Sequence, residues 1–339
     1  METFSCGSID PFFLNHGVYM APFGIICVVI GVFLDYVIIT QSKDLGTFKY
    51  YILNQAIWAQ LYEFVIILMS PAIFNNCLGA VMTGFLMRSI GSYTLTQIVT
   101  VMAISLIGNT FVAVILCMVN RFLFVFTPSK RVYMDNKYTL SGVALFMVCY
   151  HSLVASAIYL STTDDATARQ LAINETGDSL IQYFNEPSFY YTGENGGTPR
   201  SMARIVVYMI IFVLIPFVAC IAVFIFHVIN HAKSAHGSTV TALSLVIVVL
   251  AQALLCVSMI IFPATYNLAS WAWNFRHGPG LTNYLVIVLS FHGIADAICT
   301  IYCVMPYRRY VVSLFTRKKK DVTIHVSTTS ARRFRNSVT

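Results

Sequence analysis

Residues 93–126 read YTLTQIVTVMAISLIGNTFVAVILCMVNRFLFVF, and this stretch decides the fold. About twenty apolar residues are enough to cross the hydrocarbon core of a bilayer, so the run can cross with a strong tilt. Its one charged residue is Arg121, near its end and just before the basic hinge of residues 127–131, which reads TPSKR. Since an arginine near the end of a span can reach interfacial water, two interpretations stay open. Arg121 is either an interfacial anchor that marks the cytosolic side or a switch residue at the cytosolic mouth of a helical bundle.

The composition is that of a membrane protein. Of the 339 residues, 58% are hydrophobic and 10% are charged, whereas soluble domains carry roughly 25% charged residues. Seven uninterrupted apolar stretches are separated by linkers that are polar, charged or contain Pro and Gly, which predicts an all-α bundle of seven transmembrane helices. Pro71, near the outer end of the second stretch, is expected to bend that helix. The predicted spans are residues 17–41, 48–74, 93–126, 139–161, 205–230, 242–268 and 282–307.

The distribution of basic residues predicts the orientation. With the N-terminus outside, sixteen of the 21 basic residues, including every lysine, lie in cytosolic segments. Because positive residues favour the cytosolic side, we expect an extracellular segment over residues 1–16, an uncleaved first span, and a cytosolic tail over residues 308–339. The net charge of +7 comes largely from this tail. It indicates attraction to the anionic inner leaflet of the membrane rather than to nucleic acid.

Two features of the outer segments agree with this orientation. A glycosylation sequon begins at Asn174 in the linker 162–204, which the orientation places outside. Of the nine cysteines, seven lie within spans, while Cys6 and Cys77 face the oxidising side and form a candidate disulfide. Its formation requires the N-terminal segment to reach the top of the third helix.

Three acids lie inside the predicted spans, namely Asp35, Glu63 and Asp296. An intramembrane carboxyl group is costly and no lysine or arginine lies at comparable depth. Each acid must therefore be protonated, hydrogen-bonded to Asn, Gln or His, or shared with a cation. A structural hydrogen-bonded network, a protonation or cation switch, and direct contact with a ligand all remain open. A rise of about 1.5 Å per residue puts the three acids at different depths, which argues against one tight site. The predicted network consists of Asp35, Glu63, Asn109, His292 and Asp296.

Enzyme and cofactor functions find little support. His292 and Asp296 offer only two metal ligands on one face of the seventh span, whereas a zinc site needs three or four. The sequence has no HExxH motif, no Gly-rich phosphate loop and no GxSxG motif. The seventh span also has no lysine for a retinal Schiff base. We therefore expect no enzyme activity, no metal and no cofactor.

Three short motifs resemble one family. The run KYYILN over residues 49–54, followed by Trp58 and Pro71, resembles the second helix of the nematode serpentine chemoreceptors, especially class h and its relatives. The run NRF over residues 120–122 is similar to that family's Glu-Asn-Arg at the end of helix three. The run HG over residues 292–293, followed by PYR over residues 306–308, is similar to its seventh-helix signature. Two departures stand out: Val119 replaces the usual acid, and the linker 162–204 has no cysteine for the usual bridge to helix three.

The resemblance implies a GPCR-like receptor of the plasma membrane, in the cilium of a sensory neuron, with a role in olfaction. It would bind a small environmental molecule and activate a heterotrimeric G protein. The alternative is a seven-span ligand-gated channel or transporter, which the N-terminus outside and the basic tail argue against. The residues implied in coupling are Asn120, Arg121, Lys130, Arg131, Pro306 and Tyr307. The residues implied in a ligand pocket, roofed by the linker 162–204, are Gln97, Met102, Tyr208, Met259, Tyr266, Asn267 and Tyr284.

Overall fold

The computed structural model describes residues 6, 8–42, 45–74, 77–161, 163–194, 197–234, 239–275 and 279–316. The part of the tail from residue 317 onward, for which contact with the inner leaflet is expected, lies outside the described residues. The strands are β1 (Pro71–Ile73), β2 (Gly79–Met82) and β3 (Phe189–Tyr191). The helices are α1 (Pro11–Gln41), α2 (Phe48–Met69), α3 (Phe85–Ile90), α4 (Tyr93–Phe126), α5 (Lys137–Ser161), α6 (Asp165–Thr176), α7 (Thr198–Ser234), α8 (Thr239–Cys256), α9 (Phe262–Ala272), α10 (Pro279–Leu289), α11 (His292–Cys303) and α12 (residues 305–316).

The predicted all-α membrane bundle is confirmed. In the described part of the chain, six helical segments are long and apolar enough to cross a bilayer. They correspond to α1, α2, α4, α5, α7 and the stretch that ends with α9. The pair α10 and α11 supplies a seventh span when its two halves are counted together.

The seventh span is broken, which the sequence analysis did not predict. Its halves α10 and α11 meet at an angle of 41°. The amide of Phe291 donates to the carbonyl of Val288, only three residues back, at 3.1 Å, so the α-helical bonding pattern tightens before α11 begins. The expected continuous run to residue 307 is also wrong at its end. The helix stops at Cys303, before Pro306, and Tyr307 belongs to α12.

The second span ends earlier than predicted, and Pro71 does not bend it. α2 stops at Met69, and Ser70 closes it in the left-handed conformation with φ at 40°. The residue before a proline is disfavoured in the right-handed α region, so the helix cannot run through Pro71. Pro71 instead begins strand β1.

Two other helices begin earlier than their apolar runs. α1 starts at Pro11 rather than residue 17, because the carboxylate of Asp10 accepts from the amide of Phe12 at 2.8 Å and a proline suits the first helical position. α7 starts at Thr198 rather than residue 205. In the sixth span a π-helical turn, Val257–Ile261, precedes Pro263, where the missing amide weakens the regular ladder.

A small cap covers one end of the bundle. We define the cap as residues 6 and 8–10, the sheet β1-β2-β3, and residues 163–194. Both strand pairs are antiparallel, with Ala72 opposite Val81 and Ala80 opposite Tyr190. A disulfide joins Cys6 to Cys77 in the β1–β2 turn, with their Cα atoms 5.9 Å apart. We call this end of the bundle the cap end and the opposite end, where α12 leaves, the tail end.

The membrane-spanning core is centred on α2. This helix packs against α1, α4 and α11, and its Tyr62 is fully buried among Leu106, Ile260 and Leu289 of the third, sixth and seventh spans. By contrast, α5 has no buried residue and lies at the periphery. Its Tyr150 hydroxyl donates to the carbonyl of Ile104 on α4 at 2.9 Å. The polar residues of interest therefore lie among α1, α2, α4, α8 and α11.

Candidate functional site

Arg121 points into the bundle at its tail end. Only 2% of its surface is exposed, and its guanidinium carbon lies 5.6 Å from the centre of the Phe48 ring on α2. Apart from the thiol of Cys117, one turn earlier on α4, its nitrogens have no hydrogen-bonding partner among the described residues. Val119 is exposed on another face of the helix. This burial argues against an anchor that reaches interfacial water and favours a role inside the tail end.

Tyr307 lies near Arg121 and ties α12 to α1. The Tyr307 side chain is fully buried, within electrostatic range of the guanidinium. Its hydroxyl shares a hydrogen bond of 2.6 Å with the hydroxyl of Ser42, the residue that closes α1. Pro306 precedes it in the same turn and is half-buried. The start of α12, just after the seventh span, is therefore fixed to the end of the first span.

The hinge after α4 contacts the start of α2. Arg131 donates from Nη2 to the hydroxyl of Thr47 at 2.6 Å, and that hydroxyl donates to Asp135 at 2.8 Å. Lys130, in the same 3₁₀ turn Pro128–Tyr133, is exposed. Asn120 is fully buried, one residue before Arg121. The residues implied in coupling thus divide into a buried set (Asn120, Arg121, Tyr307) and a more exposed set (Lys130, Arg131, Pro306).

Asp296 is the centre of a buried polar cluster. Gln55 of α2 donates from Nε2 to both carboxyl oxygens of Asp296 at 3.1 Å. Gln252 of α8 donates to Oδ1 of Asp296 at 3.4 Å and to the hydroxyl of Thr300 at 3.1 Å. Asp296 is 3% exposed and within electrostatic range of Arg121. These bonds connect the second, sixth and seventh spans in the half of the bundle that holds Arg121.

The other two intramembrane acids have separate partners. Glu63 accepts a hydrogen bond from the amide of Ile294 at the start of α11, at 3.1 Å. Asp35 accepts from Gln60 Nε2 at 3.1 Å. The three acids do not share one site, as their predicted depths suggested. In the described ranges, no group of three or more His, Cys, Asp or Glu side chains could hold a metal ion.

Asn109 and His292 are buried but are not joined to these acids by any hydrogen bond among the described residues. Asn109 lies on α4, and His292 is the first residue of α11, one turn before Asp296. The Nδ1 atom of His292 has no hydrogen-bonding partner in the described part of the chain. His292 thus shares α11 with the polar cluster, Asn109 lies on a different helix, and neither forms part of the cluster.

The residues implied in a ligand pocket differ in burial. Met102, Tyr208 and Tyr284 have 42%, 60% and 56% of their surface exposed, so their side chains lie on the outer surface of the helices. These three residues therefore have less support from burial than the others, since depth along a helix does not fix which face a residue occupies, and their place in a pocket stays a prediction. The residues that are partly buried and remain candidates are Gln97, Met259, Tyr266 and Asn267.

The cap carries the predicted glycosylation site and its own polar contacts. Asn174 is exposed on α6. On the same helix, Glu175 accepts from the hydroxyl of Tyr191 at 2.7 Å and from the amide of Glu194 at 2.9 Å. Burial, reinforced by the hydrogen bond to Glu175, raises the pKa of Tyr191 above its usual range. These contacts hold α6 against strand β3, so the sequon lies on a packed helix with its asparagine accessible.

We define the tail-end cluster as Arg121, Asp296 and Tyr307 together with the residues that contact them, and sequence reasoning missed several of these residues. Gln55, Thr300, Ser42 and Phe48 were not singled out, although each contacts a predicted site residue. The one signal for Gln55 was an amide in an apolar span, where a polar side chain needs a partner. Its neighbour Asn54 carries the same signal but is exposed and accepts from the indole of Trp58. Composition cannot distinguish the two.

Comparison with known families agrees with this architecture. The family described as "Serpentine type 7TM GPCR chemoreceptor Srh" matches residues 12–317, which covers all seven spans and the tail-end cluster. A comparison with curated proteins found no match. The matched residues extend over most of the chain, from the start of α1 to the end of α12. The chain therefore belongs to the Srh family of serpentine seven-transmembrane G-protein-coupled chemoreceptors.

Proposed function

We propose that this multi-pass plasma-membrane chemoreceptor binds a small environmental molecule in the cap half of the bundle and activates a heterotrimeric G protein at the tail end. Family membership supports a chemosensory receptor and gives no support for an enzyme. The ligand and the G protein are our inference. By family resemblance, its site of action is the cilium of a sensory neuron.

One observation carries the coupling proposal: the buried guanidinium of Arg121. A buried cation without an acid partner is costly, because it has lost water and gained little in return. Among the described residues, the Cys117 thiol and the ring of Phe48 contact Arg121, and Asp296 and Tyr307 lie within electrostatic range. A rearrangement of the tail end that gives the guanidinium a polar partner would recover part of this cost. Binding of a cytosolic protein at the tail end is such a rearrangement.

The proposed ligand site lies below the cap, among the partly buried candidates on the third and sixth spans. The cap encloses this end with its sheet and α6, which favours a small ligand over a large one. The residues we propose to line the site are Gln97, Met259, Tyr266 and Asn267.

The proposed orientation puts the cap outside the cell. It is supported by the excess of basic residues at the other end, by the disulfide between Cys6 and Cys77, and by the exposed sequon at Asn174. Epitope tags on both ends, stained without permeabilising the cells, test it directly. The N-terminal tag should be stained and the C-terminal tag should not, and glycosidase should change the gel mobility of the protein but not of Asn174→Gln.

The coupling test is a reporter assay in cells that express the receptor with a panel of G proteins. A library of volatile and water-soluble small molecules is screened for activation. We expect Arg121→Ala to abolish the response, whereas Lys130→Ala, which changes an exposed cation on the adjoining turn, should reduce it far less. Surface staining of each variant serves as the expression control.

Two results would contradict the proposal. An undiminished response in Arg121→Ala, at equal surface expression, would show that Arg121 is not needed for coupling. A ligand-evoked current in membranes without any G protein would instead favour the alternative of a seven-span channel.

A further inference from the structure

The two halves of the seventh span are attached to different parts of the molecule. In the outer half α10, the Asn283 side chain pairs with the backbone of Ile73 on strand β1. The Ile73 amide donates to Oδ1 at 2.8 Å, and Nδ2 donates to the Ile73 carbonyl at 3.1 Å. In the inner half α11, the amide of Ile294 donates to Glu63 of α2 at 3.1 Å. The 41° break lies between these two attachments.

Glu63 acts as a helix cap supplied by a neighbouring helix. The first amides of any helix have no partner within the helix, and in a membrane interior they must be satisfied by another group. Phe291, which precedes α11, makes no capping bond with its side chain. The carboxyl group of Glu63 takes that place, with only 1% of the residue exposed. A carboxyl oxygen at a helix N-terminus also complements the partial positive charge there.

Gly293 makes this approach possible. A Cβ atom at position 293 would lie 2.3 Å from Oε2 of Glu63 and 3.2 Å from the carbonyl oxygen of Ala59. Since real Cβ atoms do not come so near to other atoms, any larger residue would displace the carboxyl group of Glu63 or push α11 away from α2. The thiol of Cys27 on α1 contacts the same carboxyl group. Glu63 is thus held by α1 while it holds α11.

The inner half continues directly to the tail-end cluster. Two residues after Ile294, Asp296 is bound by Gln55 and Gln252. The chain then enters α12, where Tyr307 is bonded to Ser42. A rotation of α11 about its N-terminus would therefore move the groups that surround Arg121.

We propose that Glu63 is a positioning residue that holds the inner half of the seventh span by its N-terminus. When a movement of the cap displaces Asn283 and the outer half, the break lets the inner half change its orientation. The consequence for signalling rests on the proposed function, whereas the capping contact does not. The two halves of the seventh span then move as two connected segments rather than as one rigid helix.

The test uses the full-length receptor in lipid nanodiscs and measures hydrogen–deuterium exchange in the peptide that contains Ile294. Glu63→Leu removes the acceptor, so exchange of this peptide should rise about tenfold or more, as expected for the loss of a buried hydrogen bond to a carboxyl group. Glu63→Gln keeps a carbonyl acceptor at the same place and should stay within about twofold of the parent. Asp35→Leu removes a carboxyl group that accepts from Gln60 and touches no helix start, so it should leave the peptide unchanged.

A second variant keeps the test decisive if Glu63→Leu does not fold. Gly293→Ala retains the carboxyl group but displaces it, and should raise exchange in the same peptide. Slow exchange in Glu63→Leu, or in Gly293→Ala where Glu63→Leu does not fold, would overturn the proposal.

Basal activation of purified G protein, measured as nucleotide exchange, tests the consequence. Glu63→Leu or Gly293→Ala should change the basal rate by about threefold or more, while Glu63→Gln should not, as for a single hydrogen bond that couples two states. Faster deuterium exchange with an unchanged basal rate of activation would show that the position of α11 does not affect signalling, and would overturn that part of the proposal. Failure of the unmodified receptor to activate any G protein would contradict the proposed function, and the deuterium exchange would still decide whether Glu63 caps α11.

Discussion

The hydrogen bonds from Gln55 to Asp296 give the sharpest prediction about stability. Gln55→Ala removes both contacts of 3.1 Å and leaves the carboxyl group with Gln252 at 3.4 Å. Side-chain hydrogen bonds inside membranes contribute about 0.6 kcal/mol on average and at most about 1.7 kcal/mol. Hydrogen bonds to charged groups in soluble proteins contribute about 1.5–3 kcal/mol. Because one amide group makes both contacts and Asp296 is 3% exposed, we expect a loss of about 1–2 kcal/mol.

The assay is reversible unfolding in mixed micelles, followed by circular dichroism, with a double-mutant cycle that adds Asp296→Ala. We expect a coupling energy of about 1 kcal/mol between positions 55 and 296, since each single change removes the same bonds. Asn54→Ala is the matched control, because it removes an exposed amide one residue away and should cost within about 0.5 kcal/mol. A coupling energy below about 0.3 kcal/mol, or an equal loss in the control, would refute the assignment.

Three further predictions follow from other contacts. Tyr307→Phe and Ser42→Ala should each lower the free energy of unfolding by about 1 kcal/mol, and because they share one hydrogen bond of 2.6 Å, additive losses in the double variant would contradict it. Cys77→Ser should free the thiol of Cys6, so a maleimide should label Cys6 on intact cells. If Cys6 is not labelled at normal surface expression, the result argues against the disulfide. Asp164 caps α6, and hydrogen bonds from the hydroxyl and amide of a threonine in the first turn lower its pKa. Since the folded pKa lies below the unfolded value of about 3.9, the cap stabilises α6 at neutral pH and the stability is lost as the pH falls through the lowered value. Melting temperatures should therefore decline less on acidification in Asp164→Asn than in the parent. Equal declines would disprove the stabilising role of Asp164 at the start of α6.

The spans could be predicted because crossing a bilayer is a property of local composition. Twenty apolar residues identify a span whatever its neighbours are, and the centres of the predicted runs lie within the observed helices. The sheet of the cap could not be predicted, because strands such as Pro71–Ile73 are too short to show an alternation of polar and apolar residues. The break in the seventh span contains neither Pro nor Gly at Ser290 and Phe291, so the usual signals of a kink were missing.

The charged residues of the candidate site could be singled out from the sequence, but their partners and contacts could not. Arg121 stands out in the sequence as the single charge of an apolar run. Its burial against Phe48 depends on the rotation of α4 relative to α2, which no pattern within α4 reveals. The same limit applies to Tyr208, whose depth follows from the sequence whereas its exposed position does not.

The peripheral place of α5 bears on how this sequence can change. Its side chains face lipid on nearly every side, so most substitutions there need only preserve the hydrophobicity and the length of the helix. The exception is Tyr150, whose ring fills the space where a Cβ of Gly108 would lie at 2.3 Å and whose hydroxyl reaches Ile104. Outside that one attachment, substitutions along the fourth membrane helix should therefore have little effect on stability, whereas the buried faces of α2 and α11 leave little freedom for replacement.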